Sequence, residues 1–319
     1  MASVESNIRQ IIADLNDIKQ SAIAKGADIP SGTATKDWDD KISEMPSADG
    51  KPYLDTRLIT NLYGFFQAGN RDIELLNFMD TKNVTCFDYM LENNRDVEIA
   101  PHFDTSNGVS FQSMFANCEW LTSLPLYNTS KGTNFSNMMS SCQRLAEMPQ
   151  LDTGCGTNLS SMFIGCKKLT TIPELNTSQC TNFQQMFANC TGLITVPKLN
   201  TSQGTYFTNM FNGCTALTTV AELDLSKCTS VSYSYNMFKN CTSLTNLTLT
   251  GVLTLSGGYQ FDLSASSNLT VESLVSVLNA LKDYSGTSSN YTVKLGSTNL
   301  AKLTDEQKQI AYDKNIDLA

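Results

Sequence analysis

The sequence predicts an α/β solenoid, a stack of about eight units of one design. Two observations support this prediction. The first is an internal repeat, since TNFQQMFANCTGLITVPKLNTSQGT (181–205) returns 24 residues later as TYFTNMFNGCTALTTVAELDLSKCT. The second is the size of each unit, which is too small to bury its apolar side chains alone. Neighbouring units must therefore stack and share one continuous core.

A column of cysteines marks the period of the repeat. Five are spaced 24 residues apart and a sixth follows after 27: Cys118, Cys142, Cys166, Cys190, Cys214 and Cys241. A methionine precedes each by four residues, and a leucine follows each by three. Proline keeps the same period, at Pro125, Pro149, Pro173 and Pro197. The pattern weakens toward the N-terminus, where Asn94 takes the cysteine position, as expected where terminal units cap a stack.

Each unit is predicted to begin with a short helix. In one unit, five apolar residues fall at i, i+3, i+4, i+7 and i+10, on one helical face: Phe183, Met186, Phe187, Cys190 and Leu193. Thr181 or Asn182 can cap the first turn of this helix.

An extended stretch and a turn complete the unit. In LTTIPEL (169–175), Leu169, Ile172 and Leu175 are predicted to face the core, while the proline keeps the strand short because it has no amide hydrogen. Asn176 and Thr177 form the turn, since an asparagine side chain can bond to the backbone two residues on. Parallel strands spaced roughly 4.8 Å apart make eight units a rod or shallow horseshoe about 40 Å long.

The repeated residues Met-Phe-x-x-Cys-x-x-Leu-Thr-x-x-Pro-x-Leu-Asn-Thr-Ser resemble the BspA-like leucine-rich repeats. This family is known from bacterial surface proteins, mycoplasma surface lipoproteins and bacteriophage structural proteins. The resemblance covers residues 55–250 and implies a leucine-rich-repeat-like solenoid with a surface role in recognition or adhesion. It implies no catalytic residues, because the motif contains none.

An N-terminal helix is predicted over residues 1–26. Its apolar residues alternate by four and three, as in a coiled coil: Val4, Ile8, Ile11, Leu15, Ile18 and Ala22. Isoleucine at both seam positions favours a trimer. The helix serves either self-association and docking or packing on its own domain. Residues 27–54 are a linker, and this N-terminus is similar to those of phage virion proteins that anchor fibres to a particle.

The C-terminal residues 251–319 leave the 24-residue period and are predicted to form a small α/β cap. An amphipathic helix is expected over residues 271–283 and a strand over residues 291–295. Thr304 and Gln307 have the spacing of a capping box, which starts a last helix. This cap is expected to cover the exposed edge of the last repeat.

Several residues invite a chemical interpretation that the sequence does not favour. The six column cysteines are expected to pack as small hydrophobes, with disulfides between rungs or metal binding as the alternatives. Cys155, Cys180 and Cys228 fall in loops and are expected to be more accessible. His102 is the only histidine, so a histidine-based triad has at most one base. No metal site, cofactor or enzymatic activity is expected.

Net charge and hydropathy exclude two classes of partner. A formal net charge of -9 repels phosphate backbones, so nucleic-acid binding is not expected. No apolar run approaches the roughly 18 residues that span a bilayer, so membrane insertion is not expected either. The N-terminus lacks the apolar core of a signal peptide, so folding is expected in a reducing cytoplasm.

Threonines on the extended stretches form a candidate binding face for a host surface glycan or protein: Thr122, Thr170, Thr171, Thr195, Thr218 and Thr219. The alternative is a plain solvated strand surface. The sequence thus favours a fibre-like bacteriophage virion protein of the head or tail, assembled in the host cytoplasm. Its N-terminus would dock it to other virion proteins, and its solenoid would attach to the host. The alternative is a bacterial cell-surface adhesin of the same repeat family.

Overall fold

The computed structural model describes residues 60–67, 80–229, 234–255, 261–288 and 291–319. The N-terminal helix with its six seam residues, and the linker that follows it, lie outside the described residues. Those predictions therefore stay predictions.

The described units form a stack of rungs that are joined by parallel backbone pairing. One series of bridges passes through seven rungs at one position of the repeat: Asn61, Cys86, Ser110, Asn134, Asn158, Asn182 and Tyr206. Consecutive phenylalanine rings stack along the same axis, with centroids 5.5 Å apart for Phe87–Phe111 and 5.6 Å apart for Phe111–Phe135. The repeat solenoid is therefore confirmed.

Each unit has a turn side, which in one unit is residues 183–193, and an extended side, residues 194–201. The turn side is not a helix, so that prediction is wrong. Its amides alternate between two kinds of partner. The amides of Phe183 and Phe187 donate to the next rung, at 2.8 and 2.9 Å, whereas those of Met186 and Cys190 donate to the carbonyl three residues back, at 3.2 and 3.0 Å.

The spacing between rungs explains why a helix is excluded. An α-helix with its side chains is roughly 10 Å across, about twice the separation of stacked parallel strands. Instead, each unit contains two residues in the left-handed conformation, such as Gln185 (φ 54°) and Asn189 (φ 60°). These residues orient every second peptide group along the axis of the stack. Asparagine, serine and glycine fill most of these positions, because they tolerate positive φ better than branched residues do.

The apolar face predicted for the helix is nevertheless the buried face of the turn side. Phe183, Met186, Phe187, Cys190 and Leu193 have no exposed surface. In the stretch predicted to be extended, Leu169, Ile172 and Leu175 face the core as predicted. The predicted Asn turn is confirmed, since Asn176 Oδ1 accepts from the Ser178 amide at 3.2 Å.

Proline limits pairing on the extended side, as the sequence predicts. Units with proline at this position pair there through at most a single bridge, such as that of Ile99 with Ser123. Ala221 takes the proline position in the next unit, and there β1 (Thr219–Asp224) pairs in parallel with β2 (Asn246–Thr250), with a register shift between Val220 and Leu223.

The C-terminal region holds the remaining elements. A parallel three-stranded sheet has the order β3 (Phe261–Asp262), β4 (Tyr291–Lys294) and β5 (Ile316–Leu318). The helices are α1 (Val271–Ala280), α2 (Ser297–Leu300) and α3 (Asp305–Tyr312). The predicted helix and strand are confirmed as α1 and β4, and the capping box of Thr304 and Gln307 begins α3.

Helix α1 covers the open edge of β2 with two serines. Ser273 Oγ and Ser276 Oγ each accept from a β2 amide, those of Leu247 and Leu249, at 2.9 Å. The two hydroxyls donate back to the carbonyls of Thr245 and Leu249, at 3.3 and 3.2 Å. The edge that would otherwise recruit another strand is thereby satisfied inside the chain.

One more unit with the turn-side hydrogen-bond pattern lies at residues 263–270, within the cap. Ser266 takes the cysteine position, and its amide donates to the Leu263 carbonyl at 2.9 Å. The buried Ser266 hydroxyl donates to the Cys241 carbonyl of the preceding rung at 2.8 Å.

Candidate recognition surface

The column cysteines form a ladder of thiols inside the turn side. Each thiol donates to a carbonyl of the preceding rung, for example Cys190 Sγ to Phe163 O at 2.9 Å and Cys214 Sγ to Phe187 O at 3.0 Å. Asn94, in the same position, donates its side-chain amide to Phe66 O at 2.5 Å. All ten cysteines are free. The six column cysteines therefore pack in the core as predicted, and each also satisfies a buried carbonyl.

Burial keeps these thiols protonated. Desolvation raises the pKa of Cys190 from 9.0 to about 12, and it raises the pKa of Cys166 well above 9.0. A thiolate is the nucleophilic and metal-binding form of cysteine, so the ladder is chemically inert at neutral pH. In the described part of the chain, no group of three or more His, Cys, Asp or Glu side chains is placed to hold a metal ion.

The loop cysteines differ from the prediction. Cys155 is exposed, but Cys180 and Cys228 are buried, and the expectation that they are accessible is wrong. Both lie where the chain enters the turn side, and Cys180 Sγ donates to Asn182 O at 3.4 Å. His102 is exposed beside Pro101, whose carbonyl accepts from the Tyr127 hydroxyl at 2.6 Å.

The threonines predicted as a binding face fall in two adjacent columns at the start of the extended side. Thr122, Thr170 and Thr218 share the first column, and Thr171, Thr195 and Thr219 share the second. All are exposed except Thr218, which is half-buried. The first column is interrupted by Ala146 and Ile194. Two of its hydroxyls already donate to the preceding rung, Thr122 Oγ1 to Glu98 O at 2.9 Å and Thr218 Oγ1 to Ile194 O at 3.1 Å.

Sequence reasoning missed a further threonine column, at the entry to the turn side: Thr85, Thr133, Thr157, Thr181 and Thr205. Each hydroxyl donates to the carbonyl one rung back, as Thr181 Oγ1 does to Thr157 O at 3.3 Å. The signal was present as a threonine every 24 residues, but the helix prediction assigned Thr181 to a cap. These hydroxyls stabilise the stack.

A fourth threonine column is buried, beside the Asn/Asp turns. Thr177 Oγ1 donates to Asn200 O at 3.0 Å, and the same bond recurs in neighbouring rungs. Outside it runs an exposed column of Asn and Asp whose Oδ1 atoms accept from the amide two residues on. Buried hydroxyl and exposed Asx side chain therefore alternate in each turn.

The extended side continues into an open groove of about 670 Å³ beside this Asx column. Six of its lining residues point toward solvent from four successive rungs: Gln150, Glu174, Asn176, Lys198, Asn200 and Glu222. Lys198 Nζ and Glu222 Oε2 form an ion pair at 3.1 Å. The groove was not predicted, because the residues at positions 150, 174, 198 and 222 do not keep one residue type from rung to rung.

Comparison with known proteins identifies the repeats. The family model described as "Mycoplasma protein of unknown function, DUF285" matches residues 49–152 and 157–252. This match confirms the BspA-like leucine-rich-repeat type of the solenoid. The crystal structure of a leucine-rich repeat protein from Bacteroides ovatus ATCC 8483 aligns with 14% identity over 75% of this chain and 82% of that chain, at a TM-score of 0.21. Comparison with curated proteins gave no match. No described helix combines the length and apolar character needed to cross a membrane.

Proposed function

Because the chain belongs to the family described as "Mycoplasma protein of unknown function, DUF285", we propose that it is a non-enzymatic surface-recognition protein. More specifically, we propose a fibre-like structural protein of a bacteriophage virion, on the head or the tail. In this role the N-terminus docks to other virion proteins, and the solenoid contacts a glycan or protein on the host surface.

The main support is the polar extended side. Its backbone makes few bonds between rungs, and its exposed hydroxyl, amide and charged side chains repeat once per rung, as at Thr171, Thr195 and Thr219. A stack with this periodicity presents an extended, rigid surface, which is how solenoid proteins bind their partners.

The thiols favour the virion role over the alternative, an exported bacterial adhesin. All ten cysteines are free, and six of them stand on consecutive rungs. A chain that folds in an oxidising compartment risks disulfides between such neighbours, whereas the cytoplasm keeps thiols reduced. Virion proteins assemble in the cytoplasm and leave the cell by lysis.

Location distinguishes these two roles. Antibody labelling of purified particles, together with mass spectrometry of those particles, is expected to find the chain on the virion surface. Detection only on the surface of the producing bacterium would support the adhesin alternative. A labelled full-length chain is expected to bind host cells, and no binding to any host cell would contradict both roles.

The docking part of the proposal has its own test. The full-length chain is expected to be a trimer in mass photometry. Ile8→Asp with Ile11→Asp should convert it to a monomer, because a charge in a coiled-coil seam is strongly unfavourable. A wild-type chain that is already monomeric would remove the support for self-association.

A further inference from the structure

The groove on the extended side carries an inference about the ligand class. It is lined by two parallel series of side chains, and each rung contributes one residue to a series. One series is Gln150, Glu174, Lys198 and Glu222, and the other is Asn176, Asn200 and Asp224. Both series stand on rungs whose backbone is fixed by the turn side, so their spacing is set before any ligand arrives.

The two series differ in what they offer a ligand. Asn176 and Asn200 use Oδ1 to accept from the amides of Ser178 and Ser202, at 3.2 and 3.1 Å, so Nδ2 is the group that each can offer to a ligand. Within the part of the chain that the structure describes, neither Nδ2 donates to a protein group. These nitrogens are therefore available donors.

The other series supplies two carboxylate acceptors, Glu174 and Glu222. The Glu174 carboxylate has no hydrogen-bond or ion-pair partner among the described residues. Glu222 shares its carboxylate between Lys198 Nζ at 3.1 Å and Thr250 Oγ1 at 3.4 Å. A chain laid in the groove thus meets donors at Asn176, Asn200 and Lys198, interspersed with the carboxylate acceptors of Glu174, Glu222 and Asp224.

A hydroxyl group both donates and accepts, so a polyhydroxylated chain can bond to the donors and to the carboxylates of the groove at once. The rungs repeat roughly every 4.8 Å, which is about the advance of one pyranose ring in an extended glycan. Glu174, Glu222 and Asp224 outnumber Lys198 as the charged lining residues, so the groove is net negative. Such a groove disfavours carboxylated, sulfated or phosphorylated chains.

We propose that the groove binds an extended, uncharged glycan, with successive sugar residues on successive rungs. This inference rests on the proposed recognition function and identifies its ligand class. It also moves the glycan contact from the predicted threonine columns to the adjacent groove.

The test measures binding of full-length protein to hexasaccharides by titration calorimetry. The neutral probes are hexamers of glucose, galactose, mannose and N-acetylglucosamine, and the anionic probe is hexagalacturonate. At least one neutral hexamer is expected to bind, and hexagalacturonate is not. Glu174→Ala with Glu222→Ala should weaken binding at least tenfold, and Lys198→Ala should weaken it by a smaller factor.

A matched control carries the same charge change elsewhere on the solenoid. Glu98→Ala with Glu147→Ala removes two exposed carboxylates outside the groove and should leave glycan affinity unchanged. The proposal is overturned if no neutral hexamer binds, if the control weakens binding equally, or if hexagalacturonate binds better. Host-cell binding that survives Glu174→Ala with Glu222→Ala would overturn the groove proposal while leaving the recognition function intact.

Discussion

The turn side and the extended side are made by one 24-residue unit, but they hold neighbouring units together differently. On the turn side, alternate amides cross to the next rung, so four bonds join the unit at residues 183–193 to its neighbour, from Phe183, Gln185, Phe187 and Asn189. On the extended side of the same unit, a single amide crosses to a neighbouring rung, that of Ile194 to Thr170 O at 2.9 Å. The turn side carries the cohesion of the stack, and the extended side is free to carry recognition.

Raising the pH should have the largest effect on the cohesion of the turn side, because the thiol ladder lies there. Desolvation raises the pKa of Cys118, Cys190 and Cys241 from 9.0 to about 12 in the folded chain. Above pH 9 the unfolded chain releases these protons and the folded chain keeps them, so stability falls as pH rises. Each thiol lowers the free energy of unfolding by about 1.4 kcal/mol per pH unit.

Urea unfolding at a series of pH values between 8 and 11 measures this slope. Replacing Cys190 and Cys214 by alanine should make the decline shallower by roughly 2–3 kcal/mol per pH unit, since two of the thiols that the fold keeps protonated are then absent. An unchanged slope in this double variant would show that the ladder does not control alkaline stability.

A core ring on the turn side provides the next largest effect. Phe187 stacks between Phe163 and Phe211, with centroids 5.6 and 5.4 Å away. Phe187→Ala should cost about 3–5 kcal/mol in urea unfolding, because it removes contacts on two rungs at once. Ile194→Ala, which truncates an exposed side chain on the extended side, should change stability by no more than about 0.5 kcal/mol. Similar costs for the two variants would abolish the distinction between the sides.

Substitutions at the left-handed positions test how much the backbone conformation of the turn side contributes to stability. Asn189 has a φ of 60°, and glycine takes the equivalent position at Gly165 and Gly213. Asn189→Val should destabilise the chain by about 1–2 kcal/mol, since a branched side chain is strained at positive φ. Asn189→Gly should cost less, and the difference between the two variants in thermal unfolding measures the backbone strain. Equal costs would mean that the lost amide, rather than the backbone, is responsible.

The smallest expected effect is the difference in stability cost between replacing a buried and an exposed threonine of the extended side. Thr177→Val removes the buried hydroxyl that donates to Asn200 O at 3.0 Å, and should cost about 1 kcal/mol. Thr171→Val makes the same chemical change at an exposed position and should stay within about 0.5 kcal/mol of the wild type. A larger loss from Thr171→Val than from Thr177→Val in chemical denaturation would contradict the burial pattern.

The sequence alone predicted which residues face the core. The spacing of Phe183, Met186, Phe187, Cys190 and Leu193 identified the buried face, although the element that bears it is a run of turns and not a helix. The periodicity of the sequence shows which side chains lie on the same face. A helix and this run of turns both place residues at this spacing on one face. Only the separation of the rungs, which no single unit contains, excludes the wider element.

The same limit applies to the recognition surface. The letters Thr, Asn and Pro recur at fixed intervals, so the threonine columns and the Asx turn were visible in the sequence. The groove is built from unlike residues, such as Gln150, Glu174 and Lys198, and Cys180 and Cys228 are buried by neighbours on other rungs.

The sequence by itself determined the period of the repeat, the apolar face of each unit and the start of the last helix, because these depend on residues close together in the chain. Tertiary structure decided the conformation of the turn side, the bonding of each thiol and the position of the groove. These depend on contacts between residues about 24 apart, and stacking creates them only when the rungs lie roughly one strand spacing from each other.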